Sequence, residues 1–223
     1  DCQLTSVDFS NFNSNQNKDL DGIFNKCISL ESIDLSTLKK ITNLANSFME
    51  CTNLKSITFP DLNNVQSMAN TFYKCDALIS LDFSNINFGS LVSLEGMFNS
   101  CVSLITVNFE NSQLNSVNNM CQMFSNCESL MSVNFKNAKK NGFINMYQMF
   151  YQCDTLISLN LSDFKSNNIT ELFYKCSALE KIDLSNFKTL TITNMEQVFY
   201  DCSSLISLNL SSFVTSSVVN MKG

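Results

Sequence analysis

The sequence contains no histidine, no tryptophan and no arginine, and these absences exclude several classes of function. Without histidine there is no Ser-His-Asp or Cys-His catalytic couple and no imidazole ligand for zinc. Without arginine there is no bidentate donor for phosphate or guanine, and the net charge of -6 repels a nucleic-acid backbone. We therefore expect no nucleic-acid partner, no cofactor and no enzymatic activity.

Proline, glycine and long apolar runs are also scarce. One proline and five glycines among 223 residues are too few for a collagen-like chain or a flexible linker. No stretch approaches the roughly 18 consecutive apolar residues of a membrane-spanning helix, so the sequence predicts no transmembrane segment. Hydrophobic residues nevertheless make up 44% of the chain, and its 19 phenylalanines provide ample material for a packed core.

An internal repeat organises the whole sequence. The pattern Phe-x-x-Cys-x-x-Leu occurs eight times, with successive cysteines separated by 24, 24, 26, 26, 26, 23 and 26 residues. These cysteines are Cys27, Cys51, Cys75, Cys101, Cys127, Cys153, Cys176 and Cys202. Asp1-Cys2 matches Asp201-Cys202 and opens a truncated ninth copy. The repeat therefore predicts a single domain over residues 1–223, built as a solenoid of stacked coils.

The first half of each repeat has the spacing of a short helix. Met120, Met123, Phe124 and Cys127 fall at i, i+3, i+4 and i+7, which places them on one helical face. An asparagine precedes this segment in several copies, as at Asn119, and its side-chain oxygen can accept from a free first-turn N–H group. We expect a helix of roughly nine residues that is stable only when packed on its neighbours.

The second half of each repeat predicts a very short strand. Its pattern is Leu-x-x followed by a branched apolar residue, a small polar residue and Leu or Phe, as in residues 30–35. The buried strand centres are then Ile33, Ile57, Leu81, Val107, Val133, Leu159, Ile182 and Leu208. Because a lone strand has no partner within its own repeat, successive copies must pair as one parallel sheet.

The repeated phrase resembles a known family. Leu-x-x-Leu-x-Leu at a period near 25 is similar to a leucine-rich repeat, and residues 145–156 resemble the BspA-type repeat of microbial and protist surface proteins. This resemblance implies an α/β leucine-rich-repeat solenoid of about nine coils, each a strand plus a short helix, without recognisable caps. It also implies an extracellular or cell-surface location and a role in adhesion, binding or structure.

Two polar columns should flank the buried strand centres on the solvent side of the sheet. The candidate binding residues in these columns are Ser32, Asp34, Ser80, Asp82, Thr106, Asn108, Ser132, Asn134, Ser158 and Asn160. Two interpretations of these columns are open. One is a recognition surface for a glycan, a protein partner or another filament. The other is that small polar side chains suit a crowded sheet and bond along the stack. Asp8 and Asp34 are too few oxygens for a calcium site, and we expect no metal.

The ten cysteines allow two interpretations. Equivalent side chains point in parallel along an apolar face, which favours a column of buried free thiols. Coils stacked near 5 Å apart would also allow disulfides between adjacent coils in an oxidising compartment. Cys121 lies outside the repeated position and is the candidate for an intermolecular bond.

Three Asn-x-Ser/Thr sequons are candidate glycosylation sites. They begin at Asn160, Asn168 and Asn209, and the first and last of these lie in the strand phrase. Asn168 lies in a loop and is the favoured acceptor if the chain is secreted.

The two ends of the sequence are complementary parts of one repeat. Residues 220–223 open another helical phrase, and Asp1-Cys2 continues such a phrase. The chain is then a slice of a longer array, or copies of it stack end to end into a fibre. Our leading hypothesis is an extracellular structural protein, a fibre or surface-layer building block. The alternative is an adhesion module whose Ser/Asp/Asn face recognises a glycan or a surface protein.

Overall fold

Short parallel strands make up the regular structure of this protein. The structure is a computed structural model that describes residues 2–12, 16–190 and 192–223. In chain order its strands are β1 (Lys18–Asp19), β2 (Ser32–Asp34), β3 (Ile41–Asn43), β4 (Ser56–Thr58), β5 (Ser80–Asp82), β6 (Thr106–Asn108), β7 (Ser132–Asn134), β8 (Ile144–Asn145), β9 (Ser158–Asn160), β10 (Lys165–Asn168), β11 (Lys181–Asp183) and β12 (Lys188–Thr189).

The predicted strand phrase forms a strand in each inner coil. These strands are β2, β4, β5, β6, β7, β9 and β11, and they pair in parallel as β2–β4, β5–β6–β7 and β9–β11. Equivalent residues face each other, as Val107 and Val133 do, because every coil presents the same phrase at the same height. The predicted columns of like side chains are therefore confirmed within each group, and the chain is a parallel β-solenoid of about seven turns.

The prediction of about nine coils is too high. Residues 6–8 and 207–209, predicted as the outermost strands, form no strand. Each would have a neighbouring coil on one side only, so fewer contacts hold it in register.

A second side of each coil carries another set of parallel pairings. Strands β1 and β3 pair there, as do β8, β10 and β12. Isolated parallel bridges continue this side through the middle of the chain, from Asn43 to Ser67, Ser93, Asn119 and Asn145. The coils are therefore bonded to each other on two sides.

The prediction of a short helix in each coil is wrong, since the described residues contain strands, bridges and turns but no helix. In the segment 119–127, Gln122 and Asn126 have φ angles of 54° and 58°, the left-handed region that a helix excludes. The N–H groups of Gln122 and Phe124 donate to carbonyls of the next coil at 2.8 and 2.9 Å. The N–H of Met123 closes a turn on Met120 O at 3.2 Å.

Two consecutive four-residue turns explain the misleading spacing. Apolar residues at i, i+3, i+4 and i+7 stand at the starts and ends of two such turns as well as on one face of a helix. The asparagine at the start caps a turn rather than a helix, because Asn119 Oδ1 accepts from Cys121 N at 3.0 Å. The α/β class is therefore corrected to an all-β solenoid over the described residues.

Phenylalanine rings fill the centre of the stack. One column runs through six buried rings with neighbouring centroids 5.4 to 5.8 Å apart: Phe48, Phe72, Phe98, Phe124, Phe150 and Phe173. Their planes lie within 12° of each other, since successive coils repeat the same backbone path. This column provides much of the apolar burial that holds the coils together.

The repeat cysteines form a second buried column. Each thiol donates to the carbonyl of a phenylalanine in the preceding coil, as when Cys101 Sγ lies 2.9 Å from Phe72 O and Cys127 Sγ lies 3.0 Å from Phe98 O. The free thiols of this column are Cys51, Cys75, Cys101, Cys127, Cys153, Cys176 and Cys202. Burial raises the pKa of Cys51 and Cys202 to about 11.

Cys27 is the exception and corrects the expectation of a uniform free-thiol column. It forms a disulfide with Cys2, and the two Cα atoms lie 4.3 Å apart. Cys2 is the equivalent residue one coil earlier, and the two residues also form a parallel backbone bridge. The alternative of an adjacent-coil disulfide therefore holds for this pair.

Backbone conformation at Asn126 gives a test of the turn structure. We expect Asn126→Val to lower the free energy of unfolding by about 1–2 kcal/mol more than Asn126→Gly, because a β-branched residue is strained at positive φ. Urea denaturation measures the difference. At Asn118, which is exposed and has no positive φ, valine should be at least as stable as glycine. If the valine and glycine variants rank in the same order of stability at both positions, the turn assignment is contradicted.

The raised thiol pKa values predict a loss of stability at alkaline pH. A thiol whose pKa rises on folding stabilises the folded state fully below the unfolded pKa of about 9, and this contribution is lost as pH rises through the folded value. The melting temperature should therefore fall between pH 9 and pH 11, the range set by Cys51 and Cys202. The fall should be smaller in the Cys51→Ala/Cys202→Ala variant. Equal falls in both proteins would be inconsistent with buried protonated thiols.

Candidate functional site

The predicted binding residues lie on one side of the solenoid. In β5 the central Leu81 is buried while Ser80 and Asp82 on either side are exposed, and both flanks of β6 and Asn134 of β7 are half-buried. Of the predicted buried strand centres, Ile57 and Ile182 are only half-buried, and Leu208 is exposed because it lies in the last coil. Side chains alternate across a strand, so the residues that flank the centre face the same side on every coil. The structure therefore places all ten candidates in two columns, which we call the polar face: Ser32, Asp34, Ser80, Asp82, Thr106, Asn108, Ser132, Asn134, Ser158 and Asn160.

Hydrogen bonds along these columns link neighbouring coils. The hydroxyls of Thr106 and Ser132 lie 3.3 Å apart. Asn134 Nδ2 donates to Asn108 Oδ1 at 3.0 Å, and Asn160 Nδ2 donates to an Asp183 carboxylate oxygen at 3.1 Å. Part of the polarity of the face therefore stabilises the stack itself, as the structural interpretation of the columns expects.

The aspartates of the polar face also close local turns. Asp34 Oδ1 accepts from Ser36 N at 2.8 Å, and Asp82 Oδ1 accepts from Ser84 N at 2.8 Å. The hydrogen bond from the Ser36 backbone lowers the pKa of Asp34. The Asp34 carboxylate therefore remains charged near neutral pH.

The polar face opens into a groove between β7 and β9. The groove has a volume of about 440 Å³, and its lining includes Ser132, Asn134, Ser158, Asn160 and Lys181. A neighbouring cavity of about 300 Å³ contains Lys140, whose Nζ lies 4.2 Å from the centroid of the Phe164 ring. Burial lowers the pKa of Lys140.

The phenylalanine pattern changes at the neighbouring cavity, whose lining includes Phe135 and Phe164. Phe83, Phe109 and Phe135 stack in the position directly after the strand, but the next coil has Leu161 there and carries its ring at Phe164. Phe135 meets Phe164 edge to face, with an interplanar angle of 77°. The coils on the two sides of the groove are therefore packed differently.

The three candidate glycosylation sites have different surroundings. Asn160 and Asn209 are exposed, and Asn160 stands within the polar face. Asn168 does not lie in a loop as predicted but ends β10, where pairing with β8 of the neighbouring coil extends the strand. It is half-buried, and its Oδ1 accepts from Thr170 N at 3.1 Å. Modification of all three stays a prediction.

Cys121 lies on the turn side of its coil, away from the buried thiol column. Its side chain is half-buried, and its backbone N–H donates to Asn119 Oδ1. Burial, with a smaller effect of Glu95, raises the pKa of Cys121 to about 11. An intermolecular bond through this thiol stays a prediction.

The described residues contain no cluster of three or more histidine, cysteine, aspartate or glutamate side chains that could hold a metal ion. In the same ranges, no helix has the length and apolar character needed to cross a bilayer.

Sequence reasoning missed an apolar column beside the polar face. Ile79, Ile105, Met131 and Ile157, which we call the apolar stripe, each follow the leucine that begins the strand phrase. They are exposed on four successive coils. The sequence offers one signal for this column, which is the change of residue type at a single repeat position. That position is apolar in these four coils but charged in other coils, at Glu31, Lys55 and Glu180.

A protein-family comparison covers most of the chain. The model described as "Mycoplasma protein of unknown function, DUF285" matches residues 42–164 and 167–223. A search of curated proteins finds no match.

Several solved structures also match. A leucine-rich repeat protein of T. pallidum has 21% sequence identity and a TM-score of 0.46, and the match covers 83% of this chain and 69% of that one. A leucine rich cell surface protein of Faecalibacterium prausnitzii A2-165 has 17% sequence identity and a TM-score of 0.43, and the match covers 86% of this chain and 66% of that one. A leucine-rich repeat protein of Eubacterium ventriosum has 14% sequence identity and a TM-score of 0.45, and the match covers 85% of this chain and 56% of that one. The match thus spans 56% to 69% of the length of these proteins.

Proposed function

The chain belongs to the family described as "Mycoplasma protein of unknown function, DUF285", and from its geometry we propose that it is a non-enzymatic surface repeat protein that binds a partner through its polar face. The observation that carries this proposal is the regular, open arrangement of that face. Hydroxyl, amide and carboxylate groups recur on successive coils, and backbone pairing fixes their positions. A rigid array of this kind presents many polar groups at little cost in conformational entropy.

A non-enzymatic role is supported by the chemistry of the side chains. The sequence has no histidine to act as a general base near neutral pH. Its thiols are the strongest nucleophiles present, and burial raises the pKa of Cys121 and Cys202 to about 11, so both are protonated at pH 7.

The proposed location is the cell surface or the extracellular space. Support comes from the repeated phrase, whose Asn-Met-x-x-Met-Phe-x-x-Cys segments resemble the BspA-type repeat of surface proteins. Glycan and protein partners are both compatible with the polar face, because hydroxyls and amides donate and accept hydrogen bonds.

End-to-end stacking is the second candidate function. Met221 is 67% exposed, whereas Met195 occupies the equivalent position one coil earlier and is only 8% exposed. Ile206 and Val219 are also exposed on this last coil. A further coil, from the same polypeptide or from a second copy, would bury this apolar surface and extend the parallel pairing.

Binding through the polar face predicts a specific sensitivity to substitution. Labelled protein should bind at least one member of an array of glycans or a panel of extracellular matrix and serum proteins. Thr106→Arg/Ser132→Arg should weaken that binding about tenfold or more, since two large charged side chains then cover the centre of the face.

Asn118→Arg/Asn141→Arg is the matched control, because it adds the same charge at exposed loop positions. If both double variants bind equally well, the polar face is not the binding surface. Sedimentation of the same samples distinguishes partner binding from assembly, since stacking alone would give long particles that bind nothing on the array.

A further inference from the structure

We propose that the apolar stripe is a docking site for an amphipathic, basic helical segment of a protein partner. The inference deepens the proposed binding role and rests on it, because it assigns the partner to polypeptides and the main contact to Ile79, Ile105, Met131 and Ile157. These side chains are 55%, 40%, 46% and 41% exposed.

Other coils of the same solenoid show that its fold does not require apolar residues here. The equivalent position holds Glu31, Lys55 and Glu180 in three other coils and is apolar again at Ile206 in the last one. Lys55 forms an ion pair with Glu31 at 2.8 Å. Four successive apolar side chains therefore serve a purpose other than stacking. Contiguous exposed apolar surface of this kind marks an interaction site.

The stripe is continuous because adjacent coils are bonded through it. Ile105 N donates to Ile79 O at 2.8 Å, Met131 N to Ile105 O at 2.9 Å, and Ile157 N to Met131 O at 3.4 Å. A shallow groove of about 510 Å³ runs beside the last three members, where Ala178 and Ser129 are small enough to leave space. This groove can receive large apolar side chains of a partner.

Acidic side chains border the stripe and determine the charge of the partner. Asp76, Glu128 and Asp154 occupy one position in three of its four coils. Burial raises the pKa of Asp154, and repulsion from Glu128 and Asp201 adds to this.

Two lysines offset this charge only in part, since Lys74 acts on Asp76 and Lys175 on Asp154. A second copy of this chain, docked stripe to stripe, would place carboxylates against carboxylates. Lysine or arginine side chains beside the partner's apolar residues give the complementary arrangement.

The spacing of the stripe favours a helix over an extended strand. Neighbouring strands in a sheet lie about 4.8 Å apart, so the four side chains span about 14 Å. Successive turns of an α-helix repeat every 5.4 Å or so, whereas alternate residues of a strand repeat near 6.7 Å. A helix of about twelve residues with apolar side chains at i, i+3, i+7 and i+10, which rise about 15 Å along its axis, therefore matches the stripe.

A synthetic peptide provides the probe. We expect a fluorescent helical peptide of about 14 leucine and lysine residues, with leucine at i, i+3, i+7 and i+10, to bind the wild-type chain with a Kd on the order of micromolar. The peptide with glutamate in place of lysine should not bind. Ile105→Ser/Met131→Ser should raise the Kd for the basic peptide about tenfold or more without changing the charge of the protein.

Ile23→Ser/Val214→Ser is the matched control, because it removes two exposed apolar side chains outside the stripe. This variant should bind the basic peptide as the wild type does, and its melting curve beside that of the stripe variant shows whether both remain folded. Absence of peptide binding, equal binding of the acidic peptide, or equal affinity of the folded stripe variant would each overturn the proposal.

The same proteins on the glycan and protein panel separate this proposal from the broader one. If the peptide result fails while the wild type and the stripe variant bind the panel equally well, the stripe proposal fails and the surface-binding role stands. If the wild type binds nothing on the panel while the peptide result holds, the polar-face function fails and the stripe stands alone.

Discussion

Backbone hydrogen bonds between neighbouring coils determine the shape of this protein. Around each coil, N–H groups donate to carbonyls of the next copy, as Gly96 N does to Cys121 O at 2.8 Å and Phe98 N to Met123 O at 2.9 Å. Because the same bonds recur from coil to coil, equivalent side chains align in columns. The stacked phenylalanine rings, the thiol–carbonyl contacts and the polar face all follow from this alignment.

These bonds also explain why the turn segments are not helical. In an α-helix every N–H beyond the first turn donates within the segment, so the later N–H groups of the segment are not left for the next coil. Residues with positive φ, such as Gln122 and Asn126, turn the chain so that alternate N–H groups point along the stack. Asparagine, glutamine and glycine fill many of these positions, and asparagine and glycine tolerate this conformation with little strain.

Much of the fold could be predicted from the sequence, because a repeat requires like residues to occupy like positions. Ile33, Val107 and Val133 were placed correctly as buried strand centres on that basis. The turns could not be predicted, because two four-residue turns bury the same positions as a short helix. The ten polar candidates could be predicted because side chains alternate along a strand. The apolar stripe could not be predicted, because it uses one position per repeat and only the folded structure shows that this position is exposed.

The central claim is that N–H groups in the turn segments bond to the next coil. Nuclear magnetic resonance of isotopically labelled protein can detect scalar coupling across such a hydrogen bond. The structure predicts coupling between the Phe124 amide nitrogen and the Met149 carbonyl carbon, whose oxygen accepts at 2.9 Å. Coupling of that nitrogen to the Met120 carbonyl carbon instead, four residues earlier in the same segment, would show a helix and contradict the account.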